Sequence, residues 1–213
     1  MKLLRCPGPG SFHSALLLAL IVALAGCGLA TRPASMKQTY LLAPTMPTAK
    51  SAPAHQVTLK VGSIAVGTAF RGRSFVYREE ALRYESDFYN EFFIAPSAML
   101  TSDVGAWLAA SGIFREVLPG SANVDGDFVL EGLVSEIYGD YRDAAKPAAV
   151  LSAKFFLIDN RGLNRVPISQ TELRQRVAMT SRSPDALAAA YSKAWAAMLT
   201  DLTRELAAAK LPR

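Results

Sequence analysis

The chain has 213 residues, 51% of them hydrophobic and 19% charged, with a formal net charge of +5. That length accommodates one core-forming domain with a tether, and so small a charge excess does not point to nucleic acid as a partner. Two cysteines and two histidines leave little material for thiol, zinc or imidazole chemistry.

Lys2 and Arg5 precede an unbroken apolar run of 11 residues, Ala15 to Ala25. A helix needs roughly 20 such residues to span a bilayer, so the run has the length of a secretory signal core instead. It closes on Leu24-Ala25-Gly26-Cys27, which reads as a lipobox. Small residues at Ala25 and Gly26 admit a signal peptidase, with cleavage expected between Gly26 and Cys27. The competing reading is an ordinary secretory signal with a chance cysteine. Removing 26 residues leaves 187 and takes the charge to +3. Cys6 then departs with the leader and Cys27 is consumed by acylation, so the folded part is expected to hold no disulfide, thiol nucleophile or zinc-thiolate site.

Residues 27–56 read as a lipidated N-terminus and tether, with Pro33, Pro44, Pro47 and Pro53 spaced among Ala, Thr and Ser. Within it, Thr39-Tyr40-Leu41-Leu42 is a short apolar island that reads as an edge strand or as exposed tether. His55 falls in the same Pro/Ala-rich stretch, outside any periodic segment. The domain proper is expected over 57–213. Val57-Leu59-Val61 alternates as a half-buried strand that continues toward Val66. Phe75 to Arg78 and Leu82 to Glu85 flank Glu79-Glu80-Ala81 as a hairpin. Pro96-Ser97 opens a helix carrying Leu100, Val104, Trp107 and Leu108, with Gly112 placed for a left-handed cap. Ile113 to Val117, Phe128 to Ile137, Ala149 to Leu157 and Thr171 to Met179 read as further strands. Gly132 marks a bulge or a close approach. Ser183, Pro184 and Asp185 begin a last helix whose stripe is Leu187, Tyr191, Trp195, Met198, Leu202 and Leu206. The expected fold is α+β: a two-layer domain with a largely antiparallel sheet of about five strands packed by two main helices.

No nucleophile elbow, metalloprotease motif, P-loop or dinucleotide-binding glycine pattern occurs. Carboxylate-only hydrolysis would have to use Asp125-Asp127 or Asp140-Asp143, which sit in turn-like sequence where Asp ordinarily bonds local backbone. The chain is expected to be no enzyme and to need neither metal nor cofactor beyond the acyl chains on Cys27. Phe70 to Phe93 concentrates 8 of the 19 Phe, Trp and Tyr residues. The expectation is core packing for Phe75, Tyr77 and Tyr84, and a partner interface at Arg78, Phe92 and Phe93.

Tyr40-Leu41-Leu42, the strand Leu59 to Val66, Val76-Tyr77-Arg78, Phe93-Ile94-Ala95-Pro96 and Ser111-Gly112-Ile113-Phe114 follow the lipobox in an order that resembles the auxiliary lipoproteins of ABC-type transport systems, the PqiC/YmbA-like group. Phe93 stands where that group often has tryptophan. The resemblance implies a non-enzymatic lipoprotein on the periplasmic face of the outer membrane. Its implied partners are a periplasmic Mce-domain protein with an inner-membrane permease and ATPase, a homo-oligomeric ring is a further implication, and no nucleic acid is involved. Gly28 after the cysteine favours outer-membrane sorting under the rule best known from enteric bacteria. The alternative is an assembly or docking lipoprotein of another outer-membrane machine.

Overall fold

The computed structural model describes residues 36–47 and 53–212. The leader, Gly26 and Cys27 lie outside the described residues. The compact unit Lys37–Arg213 contains, in order, β1 (Gln38–Tyr40), β2 (His55–Val66), β3 (Ser74–Arg78), β4 (Tyr84–Phe92), α1 (Pro96–Ser111), β5 (Phe114–Pro119), β6 (Phe128–Asp140), β7 (Ala148–Asp159), β8 (Val166–Ala178) and α2 (Pro184–Ala208).

β6 organises the sheet. One of its edges pairs antiparallel with β7 along its whole length, and β7 pairs in turn with β8. The other edge is divided. Its first half, Phe128 to Val134, runs parallel to β2, and its end, Gly139-Asp140, runs parallel to β3. β5 extends the β2 branch in parallel, whereas β4 and then β1 extend the β3 branch. The sheet therefore has eight strands and is mixed, which corrects the expectation of about five largely antiparallel strands. Hairpins such as β6–β7 announce antiparallel pairing through their turns. The parallel contacts join strands distant in sequence, and β2 meets β5 only after the chain has passed through α1.

Both helices have their reasons in the sequence. Pro96 occupies the first turn of α1, where its missing N–H is no loss, and Gly112 ends the helix at φ 70°. Ser183 accepts a hydrogen bond from Ala186 N at 3.2 Å and caps α2, with Asp185 in the first turn. α1 packs on β2 and β5, and α2 on β7 and β8. Leu59, Ile64, Phe128, Leu130, Leu151 and Phe155 meet Leu100, Leu108, Tyr191, Trp195 and Leu202 in one core. Gly132 is the expected close approach: a Cβ there would come within 3.0 Å of Ile64 and 3.1 Å of Phe155.

The N-terminal boundary differs from the sequence reading. β1 pairs with β4 at Asn90–Phe92, Leu42 is buried, and Ala43 N donates to Ser192 Oγ at 3.1 Å. His55 is the first residue of β2; it packs against Phe114, and its Nε2–H donates to Leu206 O at 2.8 Å. The edge strand read at Thr39–Leu42 is present as β1, whereas the Pro/Ala-rich surroundings of His55 concealed the start of β2.

One polar strain lies between the helices and the core. Asp103 Oδ2 and Trp195 Nε1 are both buried without a hydrogen-bond partner. Burial pushes the Asp103 carboxyl up to about 6, opposed by the nearby indole N–H, which favours the anion without being aligned to donate. A carboxyl raised from its ordinary value of 3.8 is bound to a proton in the folded state and released in the unfolded one between those two values. Stability from this group is thus greatest in acid and falls as pH rises through that window. Asp103→Asn is expected to stabilise the domain by about 1–2 kcal/mol at pH 7.5, with the gain vanishing near pH 4. Thermal melts of both proteins across pH check this, and a gain that does not depend on pH would refute the assignment.

Candidate functional site

The face of the sheet away from the helices carries no second layer among the described residues. Register builds its charged rows. Tyr84, Arg78, Asp140, Ala148 and Ala178 are consecutive cross-strand partners from β4 through β3, β6 and β7 to β8. One step along, Tyr138, Val150 and Arg176 form the next row, and Glu136, Ser152 and Arg174 the one after. The third row pairs its own charges, Glu136 with Arg174, whereas Asp140 and Arg176 meet on the diagonal between the first row and the second.

Asp140 is the hub. It is 2% exposed, yet its carboxylate holds Arg142 through both oxygens, at 2.9 and 2.8 Å, and also accepts from Arg176. Hydrogen bonding from Arg142, opposed by burial and reinforced by Arg176, keeps this carboxyl well below the usual carboxylate range. Among the described residues Arg78 makes no ion pair. Its guanidinium donates to Tyr138 Oη at 3.3 Å and Ala81 O at 2.7 Å, and lies over the rings of Tyr84 and Tyr138 at 5.4 and 5.8 Å. Phe70 closes the aromatic floor against Tyr84 and Tyr138.

A second feature sits at the β4 edge. Ser74 pairs with Glu91 and Val76 with Ser86, so the four residues Asp87 to Asn90 lie opposite Phe75 alone. Asp87 closes this bulge. Its Oδ1 accepts from Tyr89 N at 2.7 Å and Asn90 N at 3.0 Å, and its Oδ2 from Tyr77 Oη at 2.6 Å and Asn90 Nδ2 at 2.9 Å. Burial would raise the Asp87 carboxyl, but these four hydrogen bonds outweigh it and the group sits below its ordinary value. Burial and the same bond raise the Tyr77 phenol. The bulge displays Phe88, 70% exposed, edge-on to Tyr89 with ring centres 5.1 Å apart. Lys37 lies over the Phe88 ring while pairing with Glu91 at 3.3 Å.

The three expected interface residues separate. Arg78 is on the open face, Phe93 is 56% exposed beyond the end of β4, and Phe92 is 2% exposed in the core against Phe75 and Tyr191. Phe92 is withdrawn from the interface: alternation along β4 turns adjacent aromatics to opposite sides. Tyr84, expected in the core, belongs to the open face for the same reason, whereas Phe75 is fully buried and Tyr77 packs on Tyr141. Of the aspartates considered for hydrolysis, Asp127 accepts from Thr58 N, Asp125 lies 3.6 Å from Lys60, Asp143 accepts from Ala145 N, and Asp140 is held by two arginines. No group of three or more metal-capable side chains occurs among the described residues. Phe88 and Tyr89 belong to the aromatic-rich stretch that the sequence singles out, but the Asp87 lock that displays them is not among its expectations, although Asp-x-x-Asn inside an aromatic strand is a readable bulge signal.

Comparison with known proteins adds the fold. A Xanthomonas campestris protein of family DUF330 superposes with a TM-score of 0.69 at 17% identity, over 78% of this chain and 92% of its own. A second, uncharacterized protein gives 0.62 at 17% identity, over 80% and 99%. No family model matches the sequence. No curated protein matches it either.

Asp140→Asn removes the charge that holds Arg142 and Arg176 together and is expected to cost about 2 kcal/mol at pH 7. A carboxyl depressed in the folded state stabilises above its ordinary value and loses that contribution only in strong acid, so the difference between the two proteins should shrink as pH falls below about 3. Urea unfolding at pH 7 and pH 2 measures both, and equal midpoints at pH 7 would remove Asp140 as the hub.

Proposed function

We propose that this chain is a non-enzymatic docking lipoprotein of an Mce-type ABC intermembrane lipid transport system, held by acyl chains on Cys27 at the periplasmic face of the outer membrane. The observation that carries the docking role is the locked bulge. Asp87 accepts three hydrogen bonds from within the bulge and a fourth from Tyr77 Oη on β3, and so fixes a segment whose two outward side chains are aromatic and solvent-exposed. A fold does not need that arrangement for its own core. Rigid, pre-positioned Phe and Tyr lose little side-chain entropy on contact, and such residues dominate interface energetics. Phe93, on the same edge, extends the surface, and the DUF330 likeness supports the lipoprotein family resemblance.

The lipobox supplies the anchor in this reading. Several acyl chains hold a protein on a bilayer where one gives only marginal binding. The stretch between Cys27 and Lys37, where the compact unit begins, joins the anchor to the domain. The partner is the periplasmic Mce-domain protein, acting with its permease and ATPase, and copies of this chain forming a ring would surround it.

The test is cross-linking of the tagged, lipidated protein in its own envelope, followed by affinity purification and mass spectrometry. An Mce-domain protein is expected among the cross-linked partners. Phe88→Ala with Tyr89→Ala should reduce its recovery at least tenfold while leaving the melting temperature within a few degrees, since both side chains are exposed. Recovery of a different envelope machine, with no Mce component, would transfer the docking role to that machine.

A further inference from the structure

The open face of the sheet contains an arrangement that neither anchoring nor docking uses. Two guanidinium groups, Arg142 and Arg176, meet on one carboxylate, Asp140, and a third, Arg78, stands on the neighbouring strand as the register partner of Asp140. Tyr84 and Tyr138 lie under the Arg78 guanidinium, at 5.4 and 5.8 Å. The next carboxylate along the face, Glu136, is engaged by Arg174 and by Ser152 Oγ, and Glu79 by Arg182. Glu80 and Glu85, at the β3–β4 turn, are both held by Arg83. The cluster itself keeps an excess of two positive charges. Asp140 uses Nε and Nη2 of Arg142 and Nη1 of Arg176, so Nη1 of Arg142 and the remaining N–H groups of Arg176 stay free to donate.

We propose that Arg142 and Arg176, set in place by the buried Asp140, bind a phosphate group together with Arg78. Planar, fixed guanidinium forks match phosphate oxygens in pairs, and a buried carboxylate that orients two of them removes much of the cost of ordering long side chains. The Arg78 guanidinium also grips Ala81 O, which fixes the turn whose next residue, Leu82, is 93% exposed. An apolar side chain beside a phosphate-binding cluster suits the boundary between a lipid headgroup and its acyl region. A free phosphate shares the same recognition chemistry. The inference does not depend on which envelope machine the domain serves.

The experiment uses the full-length lipidated protein in neutral detergent, with thermal unfolding as the readout. Inorganic phosphate is titrated against sodium chloride at matched ionic strength, and phosphatidylglycerol against phosphatidylcholine in mixed micelles. A saturable rise in melting temperature with phosphatidylglycerol, exceeding that with inorganic phosphate, assigns the site to a lipid headgroup. Saturation by inorganic phosphate with no further gain from lipid assigns it to the free ion. Equal responses to phosphate and chloride, together with equal responses to the two lipids, overturn the proposal. Arg142→Gln and Arg176→Gln should each weaken binding about tenfold, the loss of one charge-assisted hydrogen bond. Lys154→Gln, an equal charge change farther along the same face, should leave it unchanged. If a glutamine variant does not fold, Arg142→Lys keeps the charge and removes the fork, and undiminished binding by that variant also overturns the proposal.

Discussion

The divided edge of β6 is the constraint from which the rest of the molecule follows. One strand of 13 residues serves β7 along one side and hands its other side first to β2 and then to β3. The two branches place α1 over β2 and β5 and bring β3 and β4 to the end of β6 where Tyr138 and Asp140 stand. Because successive side chains of a strand point to opposite faces, the same residues that close the core with Phe128, Leu130 and Val134 lay out the charged rows on the other side. A shift of one residue in the β6–β7 register would exchange those two faces, so core and site are specified together.

The open face shows how a buried charge becomes a positioning device. Asp140 is excluded from water yet remains ionised, because two guanidinium groups compensate it and they stay partly solvated at their far ends. Asp87 does comparable work at the β4 edge, where four hydrogen bonds convert a strand irregularity into a rigid aromatic display. Asp103 is the counterexample: a carboxyl with one oxygen buried and unpartnered among the described residues, whose ionisation burial makes costly. The three aspartates differ in their surroundings alone.

Much of the architecture was legible because its signals are local. Pro96, Gly112, Ser183 and Pro184 punctuate the two helices, and the four-residue spacing of Leu100, Val104 and Leu108 identifies the buried side of α1. Alternation over Ala149 to Leu157 and Thr171 to Met179 marks β7 and β8. Gly132 read correctly as a close approach. The aromatic-rich stretch from Phe70 to Phe93 was recognised as the unusual part of the chain, but its residues were assigned to faces poorly: Phe92 belongs to the core and Tyr84 to the open surface. The bulge at Asp87 resets the alternation within that stretch, and a period-two reading cannot cross it unaided.

By itself the sequence determined a domain free of cysteine, the existence and order of both helices and most strands, and the lack of any recognisable catalytic motif. These are properties of neighbouring residues and of composition, which need no knowledge of what lies across space. Only the tertiary structure decided that the sheet of the described residues has eight strands in a mixed arrangement, that His55 and Leu42 belong to the folded unit, and that Asp140, Arg142 and Arg176 meet. Parallel pairing and charge convergence join positions far apart in the chain, and such contacts are chosen by how the whole core closes.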